Sequence, residues 1–435
     1  MTGDDHGDDY LPGHGDPAFA VRHYDLAVTY TVHGNHLTAR ATLHCTALTR
    51  TDRVTLDLRG LKVQKLALDG ARAHYTHRAG RLVVRPPAAL AAGQDFALTV
   101  TYAGNPLPVR GVDGEAGWEE LTDGVIVAAQ PHGASSWFPC NDRPSDKASY
   151  RIELTTATAY HVSANGNLVQ RRRGASRTTW TFEQPEPMAT YLATVQIGRY
   201  EEQVLATSPV PILSVRPAGL AARVDDALAR QAEMMTFFCG LFGPYPFGQY
   251  TVVVAEDALE IPVESQGLST FGANHASTDW GNQRLVAHEL AHQWFGNSLT
   301  LRSWRDIWLH EGFACYSEWL WSEQAGSRTA AQHAAAHWAR LSKLPQDLIL
   351  TDPGACLMFD DRVYKRGALA LHALRLHLGD APFFELVRSW AEGNRHGTVT
   401  TGMFLSHVQD TAGRAAAMLL DPWLFTAPLP ALPPR

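Results

Sequence analysis

The stretch AHELAHQWFGN, residues 287–297, decides the fold of the second half of this chain. It contains the pattern HExxH, with His288 and His292 four residues apart and Glu289 between them. Residues four apart lie one turn apart on the same face of an α-helix, so both imidazoles can reach one metal ion. Glu289 is turned about 100° from His288, which removes it as a ligand but places it beside a water at the metal. The helix is predicted to end at Gly296–Asn297.

Glu311 supplies a third ligand, nineteen residues after His292. Catalytic zinc sites use three protein ligands and keep a fourth position open. HExxH alone arises by chance in roughly one such chain in twenty, whereas a Glu required at one fixed later position lowers this to roughly one chain in four hundred. The sequence therefore predicts a single zinc ion bound by His288, His292 and Glu311.

The regions on either side of this motif differ in their apolar spacing. Short segments that alternate apolar and polar residues run from about residue 23 to roughly 199 and predict β-strands. Beyond residue 220, apolar residues recur every three to four positions and predict helices, with one β-branched strand, QYTVVVA, at 249–255. The helix that carries Glu311 is predicted to begin at a capping box formed by Ser303 and Asp306.

These patterns predict an α+β protein. We expect a flexible lead over residues 1–16, an all-β domain over 17–199 and a mainly helical domain over 200–435. The Pro-rich end, APLPALPPR, predicts an extended tail.

Bulk composition excludes several classes of protein. A net charge of −7 without a basic stripe argues against a nucleic-acid partner. No window holds the eighteen or so apolar residues that span a bilayer, and the acidic start lacks the apolar core of a secretory signal. Five scattered cysteines without a CxxC pair indicate neither a disulfide framework nor a thiolate zinc site. We therefore expect a cytoplasmic protein with no membrane partner; the oligomeric state is left open.

Several stretches together resemble one known family. AHELAHQWFGN and the later WLHEGFACYSE, residues 308–318, resemble the signature of the aminopeptidase N and leukotriene hydrolase family of zinc metallopeptidases, which are gluzincins. QPHGASSWFPCNDRPSDKASY (130–150), LFGPYPFGQY (241–250) and VYKRGALALHALR (363–375) match further landmarks of the family, so the resemblance covers nearly all the chain. It implies a saddle-shaped β domain packed on a thermolysin-like catalytic domain, and an enzyme that removes N-terminal residues from peptides with a free N-terminus.

The resemblance and the chemistry of amide hydrolysis assign catalytic roles. Glu289 is expected to act as the general base on the attacking water. Tyr364 matches the family's tyrosine that stabilises the oxyanion. Glu318, seven residues after Glu311, is a candidate to hydrogen-bond a zinc-binding imidazole, since ligating imidazoles donate their other N–H to an acceptor; a solvated helix residue is the alternative.

The resemblance also implies how a free amine is bound. IPVESQGLS, residues 261–269, aligns with the family's GAMEN-like loop and keeps Glu264, the expected ammonium anchor, and Gly267. Gln130 is a second expected contact. His132 stands where relatives often carry an acidic or amide residue, and it places free-amine selectivity in doubt because a charged imidazole cannot neutralise an ammonium. His310, where the family commonly has Asn, is expected to be a packing change.

Two further expectations concern the surroundings of the site. The aromatic residues near the ligand helices are expected to form a core that fixes the ligands: Trp294, Phe295, Trp304, Trp308 and Trp319. Longer relatives add a helical domain over the cleft, and this chain ends about seventy residues after Tyr364, so an open cleft that accepts longer peptides is expected. A zinc endopeptidase, an epoxide hydrolase and an inactive peptide-binding module remain as alternatives.

Overall fold

The computed structural model describes residues 8–111 and 114–433. The strands are β1 (Phe19–Thr31), β2 (His36–Ala47), β3 (Val54–Asp57), β4 (Lys62–Leu68), β5 (Ala71–Arg72), β6 (His74–Arg78), β7 (Arg81–Arg85), β8 (Asp95–Gly104), β9 (Val109–Gly111), β10 (Gly114–Leu121), β11 (Gly124–Ala128), β12 (Ala148–Ala157), β13 (His161–Ala164), β14 (Asn167–Arg173), β15 (Arg177–Met188), β16 (Val195–Gly198), β17 (Tyr200–Ala206), β18 (Ile212–Pro217), β19 (Tyr250–Val254), β20 (Val263–Ser265), β21 (Leu268–Phe271), β22 (Thr300–Leu301) and β23 (Thr398–Val399). The helices are α1 (Ala221–Ala227), α2 (Gln231–Phe242), α3 (Trp280–Ala291), α4 (Trp308–Gln324), α5 (Ala330–Leu341), α6 (Asp361–Leu378), α7 (Asp380–Gly393), α8 (Thr401–Ala412) and α9 (Arg414–Phe425). The predicted order, a β-rich half followed by a mainly helical half, is confirmed.

Three sheets build the β-rich half. The largest has eight strands in the order β14-β15-β12-β1-β2-β8-β4-β5, a second has the order β13-β16-β11-β10-β9, and a third has the order β3-β7-β6. β1 shows why the alternating sequence works: Tyr24, Leu26 and Val28 are buried, whereas the residues between them are partly exposed. One face of the large sheet thus packs on the core.

Two sheets lie in the described part of the helical half: a five-stranded one in the order β17-β18-β19-β21-β20 and the parallel pair β22-β23. β20 is the edge strand and runs antiparallel to β21. The helices α4 and α6 meet where Gly312 faces Gly367, and a Cβ on Gly312 would lie 2.9 Å from the Gly367 Cα. Because neither helix carries a side chain there, their backbones approach closely, which brings Glu311 on α4 near Tyr364 on α6.

The described part of the predicted flexible lead, residues 8–16, is packed against the protein. Tyr10 and Leu11 are buried, the Tyr10 hydroxyl donates to Asp352, and the Gly354 N–H donates to that hydroxyl oxygen over 2.8 Å. The prediction of a flexible lead is therefore wrong for residues 8–16, because the apolar side chains of Tyr10 and Leu11 join the core. Residues 1–7 lie outside the described part of the chain.

The start of the Glu311 helix also differs from the prediction. Ser303 makes no side-chain capping bond, and the Asp306 carboxylate instead accepts hydrogen bonds from the backbone N–H and hydroxyl of Thr401. The Trp304 N–H donates to the carboxylate of Asp8, 2.7 Å away. The predicted capping box is wrong: Trp304 begins a short 3-10 turn, Trp304–Asp306, and α4 itself starts at Trp308 without a side-chain cap.

Two cations, the half-buried Lys147 and the buried Arg366, hold distant segments in place. The Lys147 ammonium donates to the carbonyls of Asn297, Ser298 and Gly397 over 3.1, 2.8 and 3.3 Å and so joins the two halves of the chain. The Arg366 guanidinium donates to carbonyls at the chain end, among them that of Ala427 over 2.7 Å. Residues 427–433, the described part of the Pro-rich end, therefore run along the helical half instead of projecting as a free tail.

Candidate active site

Three ligand atoms converge between α3 and α4. The Nε2 atoms of His288 and His292 lie 3.2 and 3.5 Å from Oε2 of Glu311, and the three ligand atoms are all within 4.8 Å of one another. All three residues are buried. α3 begins at Asp279, whose carboxylate accepts from the Asn282 N–H, and it ends with His292 as its C-terminal cap, a few residues before the predicted Gly296–Asn297 stop.

Hydrogen bonds fix how both imidazoles point. Nδ1 of His288 lies 2.8 Å from Oε1 of Glu318, and Nδ1 of His292 lies 3.0 Å from the carbonyl oxygen of Phe295. Both Nδ1 atoms face acceptors and therefore keep their proton, so Nε2 is the atom of each ring that can bind a cation at the common point once its own proton is lost. Two imidazole nitrogens and one carboxylate oxygen form the donor set of a catalytic zinc site. These residues therefore fit the predicted ion.

The nearby carboxylates also favour the protonated, positively charged form of both imidazoles. Burial lowers the pKa of His288, but hydrogen bonds to Glu311 and Glu318 outweigh it and raise the pKa to about 9. Burial also lowers the pKa of His292, but the negative charges of Glu264 and Glu311 outweigh it and raise that pKa to about 10. Burial raises the pKa of Glu311, yet His292 and the hydrogen bond from His288 hold it well below its usual range. A cation that binds here replaces these protons.

Two more carboxylates face the same point from α3 and from the edge strand β20. Ligand atoms of Glu264, Glu289 and His292 lie within 4.8 Å of one another. Burial raises the pKa of Glu289 to about 8 and also raises that of Glu264. Oε2 of Glu289 is buried and has no hydrogen-bond partner among the described residues. A buried acceptor without a partner is positioned to take up a proton or a water.

These residues line one cavity of about 610 Å³ together with Tyr364 and Gln130. The Tyr364 ring lies nearly parallel to the His288 imidazole, with 6.0 Å between ring centroids. Burial, followed by the nearby carboxylates of Glu311 and Glu264, raises the pKa of its hydroxyl well above the usual value. The phenol therefore keeps its proton and can donate it in a hydrogen bond.

Two of the predicted substrate contacts do not line this cavity. His132 packs where Gly111 has no side chain, and its ring lies 5.6 Å from that of His14. Gly267 forms the turn between β20 and β21 at φ 73°, and its N–H donates to Gln293 over 2.8 Å. His132, a predicted substrate-binding position, therefore does not reach the cavity, because its imidazole packs beside Gly111 and His14.

The remaining expectations concern packing. His310 accepts a hydrogen bond from the Leu301 N–H over 2.8 Å, and burial lowers its pKa to about 3, so it is a neutral structural side chain. Four of the five aromatic residues near the ligand helices are buried outside the cavity lining: Trp294, Phe295, Trp304 and Trp308. Trp319 is buried too but contributes to the cavity wall.

Some residues of the site were missed from the sequence. Arg284 lines the cavity and its guanidinium lies 3.4 Å from Glu318; its position four residues before His288 on α3 was a usable signal. Lys365 lies 4.0 Å from the same carboxylate, and it directly follows Tyr364. The Phe295 carbonyl that orients His292 carries no signal in the sequence, since every residue has a carbonyl.

A β-rich domain is joined to a helical domain, in which HExxH and a distant glutamate meet at one buried point. This combination defines the metallopeptidase class. The chain belongs to peptidase family M1. The peptidase family M1 domain matches residues 227–423, and the peptidase M1 N-terminal domain matches residues 20–192.

Solved structures of similar proteins cover the whole chain. An M1 zinc metallopeptidase from Deinococcus radiodurans is 34% identical, with a TM-score of 0.90 and coverage of 98% of each chain. A mutant of the Deinococcus radiodurans enzyme bound to a Tyr-Ser-Ala substrate is 33% identical, with a TM-score of 0.91 and coverage of 99% of each chain. Probable aminopeptidase 2 of Sulfurisphaera tokodaii is 25% identical over 312 residues, and the matched region spans 67% of this chain but 40% of that protein.

Proposed function

We propose that this protein is a zinc aminopeptidase of the gluzincin type, in which His288, His292 and Glu311 hold one zinc ion. The observation that carries the proposal is a second buried carboxylate, Glu264, beside Glu289 and His292 in the same cavity. An enzyme that cleaves any amide needs a base but has no need of another acid there. An enzyme that recognises a free α-ammonium does need one, because a buried cation must be paired.

When bound, zinc supplies Lewis-acid chemistry: it polarises the scissile carbonyl and lowers the pKa of a water toward neutrality. The base that this water needs is Glu289. Its unpartnered Oε2 accepts the proton of the water and can pass it to the nitrogen of the leaving amine. One residue thus serves both halves of the proton transfer.

Tyr364 acts on the carbonyl oxygen of the scissile bond. Its hydroxyl stays protonated because burial raises its pKa, and it donates a hydrogen bond to the oxygen as negative charge develops there. The near-parallel packing of the ring against His288 holds the hydroxyl close to the ligands.

Glu264 and Gln130 bind the N-terminus of the substrate. Glu264 lies on the edge strand β20 and is 7% exposed, so it pairs with the ammonium away from most of the solvent. Gln130 lines the same cavity and its amide nitrogen has no hydrogen-bond partner among the described residues, which leaves it free to contact the first residue.

Hydrolysis of matched amides tests this proposal. Release of a chromophore from a free aminoacyl amide, abolished by a zinc chelator, is expected, with no release from the N-acetylated form. Cleavage of both forms would indicate an endopeptidase, and cleavage of neither would overturn the proposal. Glu264→Gln should raise the KM for the free form far more than it lowers kcat, because it removes the charge that pairs with the ammonium.

We further propose a cytoplasmic location, supported by five free cysteines of which Cys356 is exposed. None of the helices in the described ranges is long and apolar enough to cross a bilayer. Cell fractionation against a cytoplasmic marker tests the location; recovery outside the cells or with membranes would contradict it.

A further inference from the structure

The cavity of the zinc site is divided by charge. Glu264 and Glu289 lie at one side, next to His292. A second part of the lining, around Glu318 and Asp361, forms a basic wall of four side chains: Arg284, Arg328, Arg340 and Lys365. Two carboxylates, Glu318 and Asp361, line this part of the cavity with them, so the wall keeps a surplus of positive charge. This surplus has no role in the proposed hydrolytic mechanism.

The four cations of this basic wall differ in how strongly they are already paired. Lys365 is 7% exposed and lies 4.0 Å from both Glu318 and Asp361. Arg340 pairs with Asp361, yet 48% of its side chain is exposed. Arg328 is exposed and makes no ion pair with any residue in the described ranges. Arg284 lies 3.4 Å from Glu318 and 38% of its side chain is exposed. Arg328 fully, and Arg284 and Arg340 in part, can therefore bind an anion from outside.

Aromatic rings cover the rest of the basic wall. The His337 imidazole stacks on Trp319 with 5.2 Å between centroids and an angle of 4°. Burial, and then the positive charge of Lys365 and Arg340, lowers the pKa of His337 to about 4. The ring is therefore neutral near pH 7, and together with Trp319 it offers a flat surface against which a peptide can lie.

The direction in which a peptide lies in the cleft follows from the order of residues along α3. His292, His288 and Arg284 follow one another at four-residue steps along one face, so each step is about 6 Å along the helix axis. The amine binds at Glu264, at the His292 end, and the rest of the peptide must pass His288 toward Arg284. An extended chain advances about 3.3–3.6 Å per residue, so the third and fourth residues reach the basic wall.

We propose that Arg284, Arg328 and Arg340 form a carboxylate-binding subsite on the leaving-group side of the cleft. The subsite favours peptides that carry a carboxylate at the third or fourth residue, whether an acidic side chain or the C-terminus of a tripeptide or tetrapeptide. This inference rests on the proposed aminopeptidase function, because that function sets the direction of the peptide.

Two pairs of peptides with the same N-terminal residue test the subsite. Amidated pentapeptides with Glu or Gln at position 3 compare a charged side chain with its neutral isostere. A tripeptide with a free or an amidated C-terminus compares the other source of a carboxylate. The charged member of at least one pair is expected to have a kcat/KM about 3–10-fold higher, as for one or two solvent-accessible ion pairs, and this ratio should fall as salt is raised.

A charge-reversal variant tests the carboxylate-binding subsite most directly. Arg328→Glu lies on the surface and should abolish the preference, bringing the charged-to-neutral ratio to about one, because it cancels the surplus of positive charge on the wall. Lys343→Glu makes the same change of charge at an exposed position outside the cavity lining and should keep the wild-type ratio. Ratios at or below one for wild type in both pairs, with the neutral peptides still cleaved, would overturn the subsite and leave the aminopeptidase intact. Failure to cleave any of the peptides would overturn both.

Discussion

Replacing Glu318 by Gln is expected to weaken zinc binding about tenfold, and replacing it by Ala about a hundredfold. Glu318 is 3% exposed and holds Nδ1 of His288 at 2.8 Å, which fixes the tautomer and the ring. Gln can still accept from Nδ1 but carries no charge to strengthen the basicity of the ring, whereas Ala offers no acceptor. These factors correspond to about 1.4 and 2.7 kcal/mol of binding free energy.

Competition with a chelator of known affinity measures this effect. Glu323→Gln is the matched control, because Glu323 lies on the same helix, is 37% exposed and pairs with Arg375 outside the cavity. The control should bind zinc as wild type does. A dissociation constant for Glu318→Ala within twofold of wild type, in a protein with unchanged circular dichroism, would refute the role of this hydrogen bond.

Three further predictions follow from the same geometry. Tyr364→Phe should lower kcat about 10²–10³-fold with little change in KM, since one oxyanion donor contributes about 2–4 kcal/mol; an unchanged kcat would exclude it from the reaction. Zinc binding at pH 7 should release about two protons from the imidazoles, whose zinc-free pKa values are raised to about 9 and 10, and in addition any proton held by Glu289, so affinity should rise with pH. Calorimetry in buffers of different ionisation enthalpy measures the release, and none would contradict this view. Asp8→Ala should cost about 1 kcal/mol of unfolding free energy in denaturant melts, because it removes the cap on the Trp304 N–H, whereas the exposed Asp9→Ala should cost nothing; equal effects would refute the cap.

The sequence predicted what depends on helix and strand periodicity. Four-residue spacing was sufficient to place His288 and His292 on one face of α3. Seven-residue spacing placed Glu311 and Glu318 on one face of α4, with Glu318 beside His288. Alternation of apolar residues marked the long strands in the same way, because a pleated strand turns every second side chain to the core.

What the sequence could not predict depends on contacts between distant segments. Asp8 accepts from the Trp304 N–H in the short turn before α4, and no local pattern links these two residues. The turn of His132 away from the cavity depends on the space left by Gly111. The basic wall could not be predicted for a similar reason: its arginines come from three separate segments, and each one alone resembles an ordinary surface residue.

Zinc content and turnover of Glu289→Gln, measured on the same sample, test the central claim most directly. Glu289 is the base and not a ligand, so the variant should retain one zinc ion per chain while kcat for a free aminoacyl amide falls about 10²–10⁴-fold. Gln has nearly the same shape, and the buried position should tolerate it. Turnover close to wild type with zinc bound would contradict the proposed mechanism, and loss of the zinc would show that Glu289 is itself a ligand.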